Sequence, residues 1–200
     1  MVFILVALFF VVAIAISYWR GRKASQTRPV EEVSALKLPA TFYHPGHTFA
    51  KVVGGNLVQV GMDDFAKQAL GQAKLVNLPQ VGRILKQGEI AWEVQVGERK
   101  VSQPMPVTGT VVEVNENSDS SWIVKVKALG LRQNLANLIH EAMAGEWMAA
   151  ARSRFQNAFS SSLTPAMQDG GELVSGFAQH LENDQWKAFC EEFFNSPECS

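Results

Sequence analysis

Apolar positions follow three different rhythms along this chain. The first is an unbroken run, Met1 to Trp19, with no charged residue and Ser17 as its one strongly polar side chain. A helix of that length rises about 28 Å, the thickness of a bilayer's hydrocarbon core. Tyr18 and Trp19 close it, and Arg20-Gly21-Arg22-Lys23 follows. The run lacks the basic start of a cleaved leader, so it reads as a transmembrane anchor over 1–19. The basic cluster would stay inside, which predicts an inner-membrane, single-pass protein, N-terminus out, with its soluble domains cytoplasmic. Residues 20–40 read as a linker in which Val30 to Leu38, between Pro29 and Pro39, could form a turn or two of helix.

From Phe42 to Lys127 the rhythm shortens to strand length with turn residues between. Thr48–Val53 and Leu57–Val60 flank Gly54-Gly55-Asn56 as a hairpin. Asp63 can cap a helix over Asp64–Leu70, and Gly71 can end it. Lys74–Leu78 is a strand. In Glu89–Val96, Ile90, Trp92, Val94 and Val96 share one face. Gly97-Glu98 is a two-residue tip with glycine where a type II′ turn needs it, and Arg99–Gln103 returns. Pro104 and Pro106 interrupt the ladder. Val107–Asn115 and Trp122–Lys127 complete the set, which predicts a compact barrel or sandwich over 41–129.

The third rhythm is helical and fills 130–200. Leu131, Leu135, Leu138, Ile139, Ala142, Met143, Ala150, Phe155 and Phe159 predict a helix over Leu131–Phe159, with Gly145 as its weak point. Asp169-Gly170-Gly171 would cap a helix over Glu172–Leu181, and Asp184–Phe194 forms the last one. The stripe of Trp186, Phe189, Phe193 and Phe194 reads as core. The competing reading makes Trp147, Trp186 and the paired aromatics a groove for a partner.

Lys and Arg number 18 against 19 Asp and Glu, for a net charge of -1. That balance excludes a typical nucleic-acid binder. Cys190 and Cys199 make neither a disulfide scaffold nor a four-ligand zinc site, and as unpaired thiols they agree with a cytoplasmic body. No enzyme signature survives inspection. His140-Glu141 starts like a zinc-protease motif, but Ala144 stands where the second histidine belongs. His44 and His47 lack a third ligand, so no metal site is expected. Cys190 lies in the aromatic stripe and reads as core. The protein is therefore not expected to be an enzyme, and no catalytic residue is assigned.

The middle segment carries a specific resemblance. Its runs are Tyr43-His44-Pro45-Gly46-His47-Thr48-Phe49, Val60-Gly61-Met62-Asp63-Asp64-Phe65-Ala66, Leu70-Gly71, Val76-Asn77-Leu78-Pro79-Gln80-Val81-Gly82, Pro106 through Asn115, and Trp122 through Lys127. In order and spacing they resemble the H-protein of the glycine cleavage system, a lipoyl-domain carrier. The resemblance implies a barrel-sandwich hybrid (lipoyl/H-protein-like) β-domain with a swinging-arm hairpin; with the apolar run and the helical spacing read above, the expected chain is α+β, with an N-terminal transmembrane helix, that β-domain and a C-terminal α-helical segment.

It also implies a lysine at the hairpin tip that carries lipoate. Counted without gaps, Glu98 stands at that position, which makes it a degenerate lipoyl site. A carboxylate offers no amine for an amide bond. Lys100, the nearest amine, is two residues along the strand and about 7 Å from the tip. Phe49 replaces a usual tryptophan, and the loop Glu116–Ser121 is shorter than is usual in the family. The expectation is a membrane-anchored H-protein-like binding or scaffold module without cofactor, facing an unknown protein partner. The alternative is a carrier with lipoate on Lys100, shuttling an aminomethyl or acyl group among glycine-cleavage or other lipoate-dependent enzymes. In the first case Glu98-Arg99-Lys100 is a solvated turn.

Overall fold

The computed structural model describes residues 40–117, 120–159 and 174–195. Among the described residues ten strands form two antiparallel sheets. The larger has β1 (Thr41–Tyr43), β2 (Thr48–Gly54), β3 (Leu57–Met62), β5 (Ile84–Leu85), β8 (Gly109–Val114), β9 (Val124–Ala128) and β10 (Ile139–His140), in the order β10-β1-β2-β3-β9-β8-β5. The smaller has β4 (Lys74–Val76), β6 (Ile90–Val96) and β7 (Arg99–Pro104), in the order β4-β6-β7. The alternation in Trp92, Val94 and Val96 works as the pattern predicts: all three are buried, whereas Ile90 at the strand start is 42% exposed. Their counterparts in the larger sheet are Val58, Val60, Val111, Val124 and Val126, all at most 1% exposed. Two sheets with this alternation give the sheet-rich domain the sequence predicts.

Helix α1 (Asp64–Leu70) begins at Asp63, whose side chain accepts the Ala66 amide at 2.8 Å. It ends at Gly71, which has φ 66°. A Cβ on Gly71 would lie 2.7 Å from Gly176 Cα, so the turn before the next helical piece sits directly against this helix end. The Gly176 amide also donates to Gln68 O at 2.8 Å, and Gln179 Nε2 donates to Leu70 O at 2.8 Å.

The helical region differs from the expected single helix. Helix α2 (Leu131–Leu135) stops early, the short strand β10 follows, and α3 (Glu141–Phe159) then runs unbroken through Gly145. The break falls where β1 captures the chain, pairing Phe42 with His140 and Tyr43 with Ile139. A backbone ladder to another strand outweighs the helical spacing of apolar residues. In place of a helix reaching Leu181, the described part of that stretch is a 3-10 turn, Phe177–His180, entered through Gly176 at φ 81°. Helix α4 (Asn183–Phe194) matches the prediction within one residue, and Gln185 Oε1 accepts the Glu182 amide at its start. The cap expected at Asp169-Gly170-Gly171 and the turns expected over 30–38 lie outside the described residues.

The aromatic stripe is core. Phe65 from α1, Phe155 from α3, Phe177, Phe189 and Phe193 are at most 1% exposed and contact one another at centroid distances of 4.4–6.0 Å. Each fully buried Phe contributes about 2–3 kcal/mol, so this cluster holds the helices against α1. All described residues fall in one compact unit, Lys37–Ser200. Cys190, 0% exposed, is disulfide-bonded, which corrects the expectation of unpaired thiols. A thiol count cannot tell which Cβ vectors meet in space. The argument from cysteines to a cytoplasmic body loses its basis with it. Among the described residues no helix is long and apolar enough to cross a membrane. The apolar run 1–19 lies outside them.

Candidate functional site

The hairpin of β6 and β7 carries the positions singled out in the sequence. Val96 and Arg99 are its last paired residues, so Gly97 and Glu98 form a two-residue turn. Gly97 has φ 63°, and Glu98 has no positive φ. One positive φ at the first central position is the type II′ pattern. Glu98 is exposed at the apex.

Lys100 stands opposite Gln95, one ladder step below the closing pair. Its Nζ lies 3.5 Å from Glu93 Oε2, with the lysine side chain 40% exposed and the glutamate side chain 26%. Glu93 also accepts Asn77 Nδ2 at 2.7 Å. Lys100 is thus held along the flank of the hairpin, away from its apex. The apex itself does not fit an amide-linked lipoyl group, because Glu98 supplies a carboxyl and no amine.

Arg99 is half-buried and hydrogen-bonded, contrary to the reading of the charged trio as a free turn. Its Nη1 donates to Leu181 O at 2.7 Å and its Nη2 to Asn183 Oδ1 at 2.9 Å. Its guanidinium lies 5.2 Å from the Trp186 ring centre, within cation–π range. The hairpin tip is therefore docked on the chain's own C-terminal helical segment. Sequence reasoning missed this clamp, since neither periodicity nor spacing links Arg99 to Leu181, Asn183 and Trp186. Trp186 is 2% exposed and packs in the core.

The histidines serve the scaffold. His47, at φ 60°, places Nδ1 2.7 Å from Asp63 Oδ2, with both side chains at most 1% exposed. Trp147 stacks on its ring at 4.6 Å and Phe65 packs on it at 4.3 Å. Asp63 thus joins the helix cap and the histidine through one carboxyl group. His44 Nδ1 accepts the Gly46 amide at 2.9 Å. Burial, then the neighbouring His47, lowers the His44 pKa from its usual 6.5. His140 Nδ1 accepts the Ala142 amide at 3.2 Å, and Glu141 Oε2 accepts the Thr41 amide at 3.2 Å. Among the described residues no three His, Cys, Asp or Glu side chains gather into a metal-sized group.

Comparison with known proteins bears on what this arrangement is for. Residues 41–150 match the family model described as glycine cleavage H-protein. The chain is 34% identical over 118 residues to a probable glycine cleavage system H protein of Pyrococcus abyssi, covering 54% of this chain and 88% of that protein. It is 36% identical over 107 residues to a glycine cleavage system H protein 2 of Pseudomonas syringae pv. tomato, covering 48% and 84%. A crystal structure of a glycine cleavage system H protein from Mycobacterium marinum aligns at 24% identity and a TM-score of 0.45, covering 54% of this chain and 95% of that one. The relatives it matches are glycine cleavage system H proteins, and no helix among the described residues is long and apolar enough to cross a membrane. The inner-membrane, N-terminus-out localisation inferred from residues 1–23 is therefore corrected: it does not stand.

Proposed function

This chain belongs to the glycine cleavage H-protein family, whose members are lipoyl carriers and not themselves enzymes, and from that premise we propose that it keeps the family's fold without the family's swinging arm. In this reading it is a non-lipoylated binding or scaffold module. The observation that carries the proposal is the state of the hairpin tip: a glutamate at the apex, with the next residue, Arg99, clamped to Leu181 and Asn183. A carrier arm needs an amine at the apex and an apex free to enter a partner's site. Here the amine is absent and the tip is tethered to its own helices. The surfaces available to a protein partner are then the flanks of the hairpin and the exposed side of the larger sheet.

The second reading is a carrier with lipoate on Lys100. Its support is the lysine's partial exposure and its long 3.5 Å ion pair, which would yield at small cost. Its partners would be the glycine-cleavage enzymes with which H-proteins work. Intact mass of the full chain, produced with lipoate and a lipoate ligase that loads a known H-protein in parallel, separates the two readings. The expected result is an unmodified chain. A lipoyl increment mapped to Lys100 overturns the proposal in favour of the carrier.

A further inference from the structure

Between the hairpin turn and the C-terminal segment lies a cavity of about 320 Å³, lined by Val96, Gly97, Glu98, Arg99, Gln179 and Trp186. Successive side chains on a strand point to opposite faces. The turn at Gly97-Glu98 removes that alternation, so Glu98 and Arg99 both line the same space. Three features mark it as more than a packing gap. First, opposite charges stand side by side. Arg99 has five N–H donors, of which Leu181 O and Asn183 Oδ1 take two. Glu98 is exposed and forms no salt bridge among the described residues. Second, Trp186 is 2% exposed, and its Nε1–H has no acceptor among the described residues. A buried donor left unmatched is rare in native proteins. Third, the site is pre-formed. Arg99 is already anchored, Val96 and Trp186 supply apolar walls, and Gln179 is tethered to Leu70 O.

We infer that this cavity binds a small zwitterion, a free α-amino acid, with its carboxylate on Arg99 and its ammonium on Glu98. A bare carboxylate would be repelled by Glu98, and a bare amine by Arg99. A ligand that carries both charges on one carbon satisfies both. The volume is at the lower end for ligand pockets, which suits a single amino acid and not a larger metabolite. The inference rests on the reading of the tip as free of lipoate.

The test is a titration of the ¹⁵N-labelled full chain with free L-amino acids up to about 10 mM, a concentration that reveals even weak sites. Saturable shifts are expected at the Gly97, Glu98 and Arg99 amides and the Trp186 indole N–H. Acetate and ethylamine, each half of the ligand, should bind at least about tenfold more weakly, and Glu98→Gln should weaken amino-acid binding about tenfold through loss of one charge-assisted contact. Glu98 is exposed, so that variant keeps the parent's urea midpoint. Three outcomes overturn the inference: no saturable shift with any amino acid, acetate binding as well as an amino acid, or Glu98→Gln binding unchanged. Intact mass of the same sample separates the two levels. A lipoyl increment overturns the reading beneath, whereas an unmodified chain that ignores amino acids overturns this inference alone.

Discussion

The guanidinium carbon of Arg99 lies 5.2 Å from the centre of the Trp186 ring, so the strand that leaves the hairpin turn is held by the last helix. Arg99→Ala removes this contact and two hydrogen bonds, at Leu181 O and Asn183 Oδ1. The expected loss is about 1–2 kcal/mol, read from urea unfolding. Amide exchange over residues 95–100 should accelerate more than in the rest of the β-sheet. Arg99→Lys keeps the charge but not the forked donor geometry, and should recover only part of the loss.

Asp63 joins two elements through one carboxyl group. Asp63→Ala removes the α1 cap at the Ala66 amide and leaves His47 Nδ1 without its 2.7 Å partner. The expected cost is about 2–4 kcal/mol in urea unfolding, because a lost cap adds to a buried unmatched group. Asp63→Asn, which can still cap, should cost distinctly less.

The apex position can be tested by restoring an amine. Glu98→Lys, produced with lipoate and an active ligase, should gain one lipoyl increment in intact mass, while the parent chain gains none. If the Arg99 clamp also hinders the ligase, adding Arg99→Ala should raise the modified fraction further. An unmodified double variant would show that the hairpin no longer presents a recognisable apex.

Gly71 has φ 66°, and a Cβ there would lie 2.7 Å from Gly176 Cα and 2.9 Å from Gly176 N. Both atoms are backbone and cannot swing aside. Gly71→Ala should therefore destabilise by about 2–3 kcal/mol, combining left-handed strain with overpacking. Loss of near-ultraviolet aromatic signal before the sheet signal during unfolding would place the damage at the junction of α1 and the 3-10 turn.

His44 supplies a pH dependence. Its folded pKa is lowered from 6.5, by burial first and by His47 second. The unfolded chain then binds more protons than the folded one as pH falls through 6.5. Stability should be fully present above that value and decline below it, until the folded pKa is passed. Urea midpoints at about pH 7.5 and about pH 5.5 should differ in the parent and differ less in His44→Asn, whose amide oxygen can still accept from Gly46. Glu89, lowered from 4.5 by the Lys86 amide and Arg83, loses its contribution only at more acid pH and leaves that window clean.

The sequence alone determined what depends on local chemistry. Strict alternation fixed the faces of Trp92, Val94 and Val96, because side chains on a pleated strand have a period of two. Asp63 and Gly71 marked the ends of α1, because a helix leaves unpaired amides at one end and needs a positive φ at the other. The spacing of the matched runs gave the family, and Gly97 gave the turn. Tertiary structure decided what depends on distant partners. Ile139–His140 has the apolar spacing of a helix, yet β1 turns it into a strand, because ladder bonds to Phe42 and Tyr43 are long-range. Arg99 looks like one charge in a polar trio; only the fold brings Leu181, Asn183 and Trp186 to it. A linear pattern records which face a residue presents. Which surface meets that face, and so whether the hairpin tip is free or held, follows from how the last helix packs.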